Sequence, residues 1–449
     1  MTGAPPVYRI DERPAHWWET ALYSWQHTLV DISPFVLPLV VAEVLKMDAA
    51  ASAALINFCL VGMGIATLLQ TTVGNRLPLI QGPSATITGT LAPVASQLGP
   101  AAMWGAAFVG GLIEALVGAS RAVGALRRFF PPMVAGVVVV AIGFALGQLA
   151  VRLAIGAGRA RDFALAGTVI VLIAGLRLGA RGVVARGAIF FSIWIVGLGV
   201  GSVLGEVQWN VVAAKPWLAL PHVFPYGGPG FGWAFVPAAI LAVLAGYLGS
   251  MVESIGDYAA TCAVSDEPYT ARHMNRGILT EGIGCALATM VGGLPVTSYT
   301  QNVGIIATTR VASRFVVQGA ALILLLYGLS PKFGALLVAM PRPVLGGVFI
   351  VVCGTIVLSG LRLIAADRDG TATDLIAGTT LVLSVGVPVY VRFALGESWL
   401  AGISILGRMV LTNPVVIAVV LAVGSHALLT AVGSGRAARE RRRAERSPR

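Results

Sequence analysis

Two acids stand out in an apolar part of this chain. Glu253 and Asp257 are four residues apart, so on a helix their side chains share one face, with roughly 5–6 Å between Cβ atoms. An ionised carboxylate at the centre of a bilayer costs at least about 2.5–3.5 kcal/mol, and two on one face disfavour each other's charge. Reversible proton binding removes this cost, so the spacing is typical of ion coupling. The alternative is a structural pair that accepts hydrogen bonds from backbone N–H groups.

An amide pair, Gln301 and Asn302, heads the apolar turn in "SYTQNVGIIATTR". A carboxamide carries both an acceptor and a donor, which matches a ring edge with an N–H beside a C=O. His27 and Asp31 form another pair at a spacing of four, and Asp31 is an extra intramembrane acid. For His27 and Asp31, a buried pair that holds its helix in place is the favoured interpretation, and proton transfer is the alternative.

The composition decides which elements can position these side chains. Of 449 residues, 57% are hydrophobic and 11% are charged, and the mean hydropathy is +0.84, whereas soluble domains have about 25% charged residues. This predicts an all-α protein with many membrane spans. The polar N-terminus lacks the apolar core of a signal peptide, so the first span should be retained. Four cysteines in apolar runs, without a C-x-x-C pair, are expected to be buried, not bridged or metal-bound: Cys59, Cys262, Cys285 and Cys353.

Thirteen windows of about 20 apolar residues and a short polar segment at 295–308 predict fourteen spans. An even number places both termini on one side, which would hold 21 of the 31 Lys and Arg residues. Because these residues accumulate in cytoplasmic loops, both termini are expected in the cytoplasm of a cell-membrane protein. The basic tail "GRAARERRRAERSPR" favours a solvated segment facing anionic lipid over a nucleic-acid patch, so no nucleic-acid partner is expected.

The chain repeats itself around its polar segments. "VGNRLPLIQGPSATITG" from Val73 is similar to "VGGLPVTSYTQNVG" from Val291, and "PPMVAGV" is similar to "PRPVLGGV" further on. The unit holds seven spans, so the second copy enters the membrane from the opposite side, as in secondary transporters. The alternative is that these Gly/Pro clusters only mark kinks. The repeat predicts an extended stretch over 294–300 and a half-helix from Gln301, whose free N–H groups and positive dipole end face the bilayer middle.

Pump and enzyme chemistry have little support. Only three lysines are present, none in a G-x-x-x-x-G-K-[ST] loop, so ATP-driven pumping is unsupported. Five scattered histidines provide no nucleophile–base pair or metal cluster. We therefore expect neither an enzyme nor a resident cofactor or metal, only a coupling proton, with sodium as the alternative coupling ion.

"QNVGIIATTR", Gln301 to Arg310, resembles the signature Q-N-x-G-x-x-x-x-T-R/K/G of the nucleobase–ascorbate transporter family, also called nucleobase–cation symporter family 2. "WQHTLV" in span 1, "ESIGDY" in span 8, "NRGILTEGIG" entering span 9 and "PRPVLGGV" in span 12 agree in order. The resemblance implies inverted seven-span repeats with short extended stretches in spans 3 and 10, elevator-like movement and a homodimer. It divides the chain into a cytoplasmic N-terminus (1–19), a core domain (20–130 and 234–342), a gate domain (131–233 and 343–432) and a basic tail (433–449).

The resemblance also assigns roles to residues. Glu253 would hydrogen-bond the substrate from span 8, and Gln301 would bind it from span 10. The further substrate-site positions are Tyr299, Thr300, Asn302 and Ala85. The polar positions linked to cation coupling and to structure are Asp257 and His27. The roles of two other acids, Glu114 and Glu281, stay open, with packing near helix ends as one interpretation.

Two positions depart from the family pattern. Ala85 stands where the family usually has a Phe that stacks on the base, and Cys353 stands where some uracil carriers have Tyr. Gln301 is typical of purine carriers, whereas uracil carriers tend to have Glu there and ascorbate carriers tend to have Pro. These residues favour proton-coupled import of xanthine or urate before guanine or uracil. A uracil, other pyrimidine or ascorbate-like substrate is the alternative.

A rival of another class is a sulfate-type anion transporter or channel with the same seven-plus-seven fold. Such a carrier would be expected to have a cation or bare helix ends at the site. This chain has Glu253 there instead.

Overall fold

α-Helices make up nearly all of the regular structure. The computed structural model describes residues 6–30, 33–124, 131–221, 232–366 and 371–429. The helices are α1 (Trp17–Val30), α2 (Ser33–Val44), α3 (Ala49–Thr72), α4 (Ala85–Ala119), α5 (Pro132–Ile155), α6 (Ala160–Gly179), α7 (Gly182–Arg186), α8 (Ala188–Val203), α9 (Trp209–Ala213), α10 (Pro237–Val264), α11 (Ala271–Met290), α12 (Thr300–Thr309), α13 (Arg314–Gly328), α14 (Pro331–Ala339), α15 (Arg342–Ala366), α16 (Thr371–Tyr390), α17 (Gly396–Ala401), α18 (Ile405–Thr412) and α19 (Pro414–Leu429). The strands are β1 (Gln81–Pro83) and β2 (Val296–Ser298).

Short polar signals start these apolar helices. Asp48 accepts a hydrogen bond from the Ala51 amide at the start of α3, and Ser84 accepts one from the Ile87 amide at the start of α4. α5, α10 and α14 begin with proline in the first turn, where its missing N–H removes no helical hydrogen bond. The predicted burial of the four cysteines is confirmed, and all four are free thiols.

The number of helices that can cross a membrane depends on how bent helices are counted. Among the described residues, seven helices are long and apolar enough, and nine if two bent pairs each form one span. The pairs are α13 with α14, bent by 74°, and α18 with α19, bent by 89°. α4, with 35 residues, covers two predicted spans that are divided at Gly99, where φ is +81°. The chain is therefore a multi-pass membrane protein, and the count of fourteen stays a prediction.

Two short strands interrupt the helical architecture at the repeated segments. β1 and β2 pair antiparallel, with Gln81 opposite Ser298 and Pro83 opposite Val296. Beyond the strands, the Ser84 amide donates to the Pro295 carbonyl at 2.9 Å, and the Tyr299 amide donates to the Ile80 carbonyl at 3.1 Å. Each strand leads directly into a helix, so α4 and α12 leave the pair at opposite ends. This confirms the predicted extended stretch and the half-helix that follows it.

The helices pack in two groups. α1–α4 and α10–α14 mainly contact one another, and the most extensive contact in this group is between α4 and α11. In the second group, α5 packs most extensively with α15, and α6, α8 and α16 lie around them. The core and gate boundaries stay predictions.

Backbones touch where α4 crosses α11. A Cβ on Gly282 would lie 2.6 Å from the Gly111 carbonyl oxygen and 2.8 Å from the Ala115 Cα. Small residues allow such close approach between membrane helices, whose association gains from packing and little from the hydrophobic effect. The crossing therefore depends on the absence of a side chain at Gly282.

The start of the chain forms a strap, residues 7–14, across the segment that follows α12. The Val7 amide donates to the Arg310 carbonyl at 2.8 Å, and Tyr8 forms a parallel bridge with Val311. The Asp11 carboxylate contacts Arg76 at 2.9 Å and Arg314 at 2.5 Å. Partial burial raises the pKa of Asp11, but the hydrogen bond from Arg314 and the charge of Arg76 outweigh it and lower the pKa below its ordinary value. The strap thus connects the chain start to the first repeated segment at Arg76 and to the residues that follow α12.

Gly282→Ala should destabilise the protein, because the new methyl group would have to push α4 and α11 apart. Overpacking of this kind costs typically about 1–3 kcal/mol. The measurement is the midpoint of thermal unfolding of the purified protein in detergent. Gly167→Ala is the control, since a Cβ at that helical position meets nothing within 4 Å. An unchanged midpoint for Gly282→Ala would contradict the crossing.

Candidate functional site

The two acids of α10 each meet the first turn of a different helix. Glu253 is half-buried, and its Oε2 accepts a hydrogen bond from the Thr86 hydroxyl at 3.1 Å, in α4. Asp257 is buried; its Oδ1 accepts from the Thr300 hydroxyl at 2.7 Å and its Oδ2 accepts from the Ser298 hydroxyl at 3.0 Å. The predicted common face of the two acids therefore faces both strand–helix junctions.

Glycines on α10 make this meeting geometrically feasible. A Cβ on Gly249 would lie 2.7 Å from the Thr86 Cγ2, and a Cβ on Gly246 would lie 2.9 Å from the Ile87 Cα. α10 therefore runs directly against the first turns of α4. Glu253 lies one turn further along α10, within reach of the Thr86 hydroxyl.

The two helix starts differ in how their N–H groups are satisfied. In α4 the Ser84 side chain caps the helix by accepting from the Ile87 amide at 3.2 Å. In α12 the N-cap residue is Tyr299, whose side chain forms no capping hydrogen bond. The free N–H groups and the positive dipole end of a helix start favour acceptors and anions. The first turn of α12 has no side-chain cap, and one of its amides, that of Asn302, donates to the Tyr299 carbonyl at 3.2 Å.

The adjacent amides of α12 lie in different surroundings. Gln301 is exposed, as are Thr300 and Gly304 on the same helix. Asn302 is fully buried, and its Oδ1 lies 2.6 Å from the Nδ1 of His27, which is also buried. This contact holds α12 against α1, so in this geometry Asn302 positions the helix while Gln301 presents its amide outward. A substrate contact for Asn302 stays a prediction.

The partner of His27 is thus Asn302, on another helix. The sequence also predicts a pair of His27 with Asp31. Asp31 lies outside the residues that the structure describes, so this pair stays a prediction. The structural role expected of His27 stays a prediction.

Tyr299 and Ala85 both lie just after a strand, Tyr299 at the N-cap of α12 and Ala85 at the first residue of α4. Tyr299 is 5% exposed; its hydroxyl donates to the Pro83 carbonyl at 3.1 Å, and its ring lies over Gly82, where a Cβ would come within 2.5 Å of it. Ala85 is half-buried at the first position of α4. Tyr299 therefore buttresses β1, and its predicted place in the substrate site stays a prediction.

Cys353 lies in a groove of about 560 Å³ whose lining residues all come from α5 and α15. A Cβ on Gly143 of α5 would lie 3.2 Å from the Cys353 carbonyl oxygen, and one on Gly147 would lie 3.9 Å from the Cys353 Cβ. The lining of this groove includes no residue of α10 or α12.

A hydroxyl network around Glu281 was not predicted from the sequence. Glu281 is fully buried, and its Oε1 accepts from the Ser254 hydroxyl at 2.6 Å while its Oε2 accepts from the Tyr258 hydroxyl at 2.7 Å. Ser254 also lies 2.9 Å from the Ser298 hydroxyl, which bonds to Asp257. Ser254 directly follows Glu253 in "ESIGDY", but nothing in that motif indicates that α11 packs against it.

Glu114 is the other fully buried acid, on α4. Its Oε2 accepts from the Cys285 thiol at 3.5 Å, and its Oε1 has no hydrogen-bond partner. Among the described residues, no group of three or more His, Cys, Asp and Glu side chains could hold a metal ion.

Comparison with known proteins identifies the family. Residues 18–393 match Xan_ur_permease, described as a permease family. The chain belongs to this permease family. The family resemblance carried by the signature motifs is thereby confirmed. Permeases move their substrates and do not convert them, so the expectation that the chain is not an enzyme is confirmed as well.

Three relatives cover most of this permease. A putative purine permease of Clostridium perfringens is 32% identical over 82% of this chain and 82% of its own length. The uric acid permease PucK of Bacillus subtilis is 31% identical over 80% of this chain and 85% of its own. The xanthine permease XanQ of Escherichia coli is 29% identical over 86% of each.

A solved structure shares the fold. The transmembrane domain of the cyanobacterial bicarbonate transporter BicA aligns with a TM-score of 0.56, over 93% of this chain and 99% of that one. The sequences are 14% identical, so the likeness concerns the fold alone.

Proposed function

We propose that this permease imports a purine nucleobase, xanthine or urate before guanine or uracil, together with protons. The observation that carries the proposal is the meeting of Glu253 and Asp257 with the first turns of α4 and α12, next to the exposed amide of Gln301. The names of the relatives, purine, uric acid and xanthine permeases, support the same substrate class.

Hydrogen bonds at the ring edge would select the base. The Gln301 carboxamide offers an acceptor to a ring N–H and a donor to the neighbouring C=O. Glu253, as a carboxylate, would accept from a further ring N–H. The positive dipole end of α12, which has no side-chain cap, would favour an oxygen of the base. Ala85 provides little surface for stacking, so recognition would rest on the ring edges more than on the ring faces.

The acids of α10 would carry the coupled proton. Their described hydrogen bonds come from neutral hydroxyls, and none of the ion pairs among the described residues involves Glu253 or Asp257. A buried carboxylate without a cation crosses a bilayer at lower cost when it is protonated. A proton taken up with the base would supply that neutralisation, and sodium is the alternative coupling ion.

Transport would follow an elevator-type movement of the first group of helices, α1–α4 with α10–α14, against the second group, which is built around α5 and α15. The antiparallel pairing of β1 and β2 supports inverted repeats, because it joins the two repeated segments in opposite directions. In this proposal the protein has fourteen spans, forms a homodimer in the cell membrane and has both termini in the cytoplasm.

The second candidate, a sulfate-type anion carrier, is favoured by the shared fold with a bicarbonate transporter. Glu253 opposes it, because a half-buried carboxylate repels an anion. Sulfate- or chloride-dependent currents without uptake of any base would favour this candidate over the first.

Uptake of radiolabelled xanthine and urate should rise when this protein is expressed in a strain without its own base carriers. Uptake should increase as the external pH falls and should collapse with a protonophore, because the proton gradient drives accumulation. Flat uptake of every base at normal expression would contradict the proposed substrate class.

Gln301→Ala should weaken uptake of xanthine by about 5- to 150-fold, because a buried donor and acceptor of the substrate lose their partners at roughly 1–3 kcal/mol. Gln301→Glu keeps the shape but replaces the donor with an acceptor, so it should shift preference from xanthine towards uracil. Competitive uptake across a panel of bases is the measurement. Gln208→Ala, at an exposed position outside the site, is the control. An unchanged rank order for Gln301→Glu would exclude edge recognition by this residue.

The proposed orientation predicts the results of reporter fusions. A reporter after Arg436 should be cytoplasmic, and one inserted between Lys215 and His222 should be external, because fourteen spans separate two cytoplasmic termini. Reporter activity on the opposite sides would overturn the span count.

A further inference from the structure

Two carboxyl groups of the interior are joined by two serine hydroxyls. The Ser298 hydroxyl lies 3.0 Å from the Asp257 Oδ2 and 2.9 Å from the Ser254 Oγ. The Ser254 hydroxyl in turn donates to the Glu281 Oε1 at 2.6 Å. Every step of this path, from Asp257 to Glu281, is within hydrogen-bonding distance.

The exposed fractions of these side chains show which end of the path faces the substrate site. Glu281 and Ser254 have 0% of their surface exposed, Ser298 has 1% and Asp257 has 4%, whereas Thr300, which donates to Asp257, is exposed. Asp257 therefore lies at the outer end of the path and Glu281 at its inner end. Among the described hydrogen bonds, those of Ser298 and Ser254 lead from Asp257 inward to Glu281.

The side of Glu281 away from Ser254 is occupied by hydrogen-bond donors. The Tyr258 hydroxyl donates to the Glu281 Oε2 at 2.7 Å, and the Gln70 amide donates to the Tyr258 oxygen at 2.9 Å. Gln70 also donates to the Gly277 carbonyl at 3.3 Å and accepts from the Thr280 hydroxyl. An amide held in this way fixes the phenol in place and carries no proton onward.

Among the described groups that face Asp257 and Glu281, none is a positively charged side chain. Around Glu281 these are Ser254, Tyr258 and, further off, Glu253 on α10, and Thr297 on β2. Glu114 of α4 contacts Cys285, one helical turn from Glu281. Around Asp257 they are Ser298, Thr300, Glu253 and Glu281. Among the described residues, no ion pair includes these acids, so protons are what neutralises them.

We propose that Ser254 is a relay residue that joins Asp257 and Glu281 into one proton-sharing site, with Glu281 as the inner place where the coupled proton is held during transport. This inference rests on the proposed proton symport and adds the residues through which the proton moves. Ser254 positions and passes the proton and does not touch the base.

The step balances without a charged serine. Protonated Asp257 donates its proton to the Ser298 oxygen while Ser298 gives its own proton to the Ser254 oxygen. Ser254 then gives its proton to the Glu281 Oε1. Each hydroxyl has gained one proton and lost one, and the net change is one proton moved from Asp257 to Glu281. The reverse order returns it, because a hydroxyl has one donor and two acceptor positions and turns to suit.

The test compares Ser254→Ala with two matched controls in the full-length protein. Ser250→Ala removes another fully buried serine hydroxyl one turn earlier on α10, where it accepts from Ser84 at 3.3 Å. Ser192→Ala removes a fully buried serine hydroxyl of α8, in the second group of helices, whose oxygen has no hydrogen-bond partner. Ser254→Thr restores a hydroxyl and serves as the rescue.

The first readout separates exchange from coupled accumulation in liposomes. Ser254→Ala should retain exchange of labelled base for unlabelled base, which needs no net proton movement. Its proton-driven accumulation should fall by at least about 100-fold, the lower end of what a positioned proton-transfer group contributes. Both controls and Ser254→Thr should retain accumulation. Full coupling in Ser254→Ala, or an equal loss in Ser250→Ala, would overturn the relay.

The second readout does not need the substrate. Hydrogen–deuterium exchange of the protonated Glu281 carboxyl is followed by infrared difference spectroscopy, with its band assigned by loss in Glu281→Gln. Exchange should slow by at least about 100-fold in Ser254→Ala and stay fast in Ser250→Ala. Ser254-dependent exchange in a protein that takes up no base would support the relay and refute the proposed substrate. Unchanged exchange with normal base uptake would refute the relay alone.

Discussion

A backbone N–H or C=O that enters the hydrocarbon must find a partner within the protein, and the pairing of β1 with β2 meets that demand here. Each strand has an edge of backbone N–H and C=O groups, and each strand provides partners for the edge of the other. The pairing allows two helices to start in the interior, where their first turns meet the acids of α10. Thr86 reaches Glu253 and Thr300 reaches Asp257 only because both helices begin at this pair.

Acidic side chains have different partners near the ends of helices and in the interior of the protein. Near the ends of helices, acids are paired with arginine, as Asp162 is with Arg159 and Asp11 is with Arg76 and Arg314. In the interior, three acids accept hydrogen bonds from serine, threonine and tyrosine hydroxyls: Glu253, Asp257 and Glu281. A hydroxyl stabilises a carboxylate but can also accept from a carboxylic acid, whereas an arginine holds the carboxylate charged. The interior network is therefore compatible with both protonation states, as a coupling site requires.

Several features could be predicted because they depend on local sequence. The spacing of Glu253 and Asp257 fixes a common helix face, and the polar run after Pro295 has no place in a regular span, so an extended stretch and a half-helix follow. Sequence windows count apolar segments and not helices, so they could not reveal that α4 covers two of them with a break at Gly99.

Contacts between helices that are far apart in the sequence could not be predicted from local sequence patterns. Asn302 was grouped with Gln301 because they are neighbours, yet successive residues of a helix point about 100° apart, and the position of α1 decides that Asn302 is the buried one. Ser254 and Glu281 meet because α10 packs against α11, which no single segment reveals. The groove around Cys353 likewise depends on how α5 and α15 pack.

The same strand pair has a consequence for how the chain is made. Tyr299 contacts Pro83 across 216 residues of sequence. At about 5–20 residues per second, a ribosome needs roughly 10–40 s to add them. During that time the polar edge of β1 has no native partner, and α4 has no fixed start within the bilayer. The first half of this protein must therefore be held by the insertion machinery, or by its own temporary contacts, until the second half arrives to complete it.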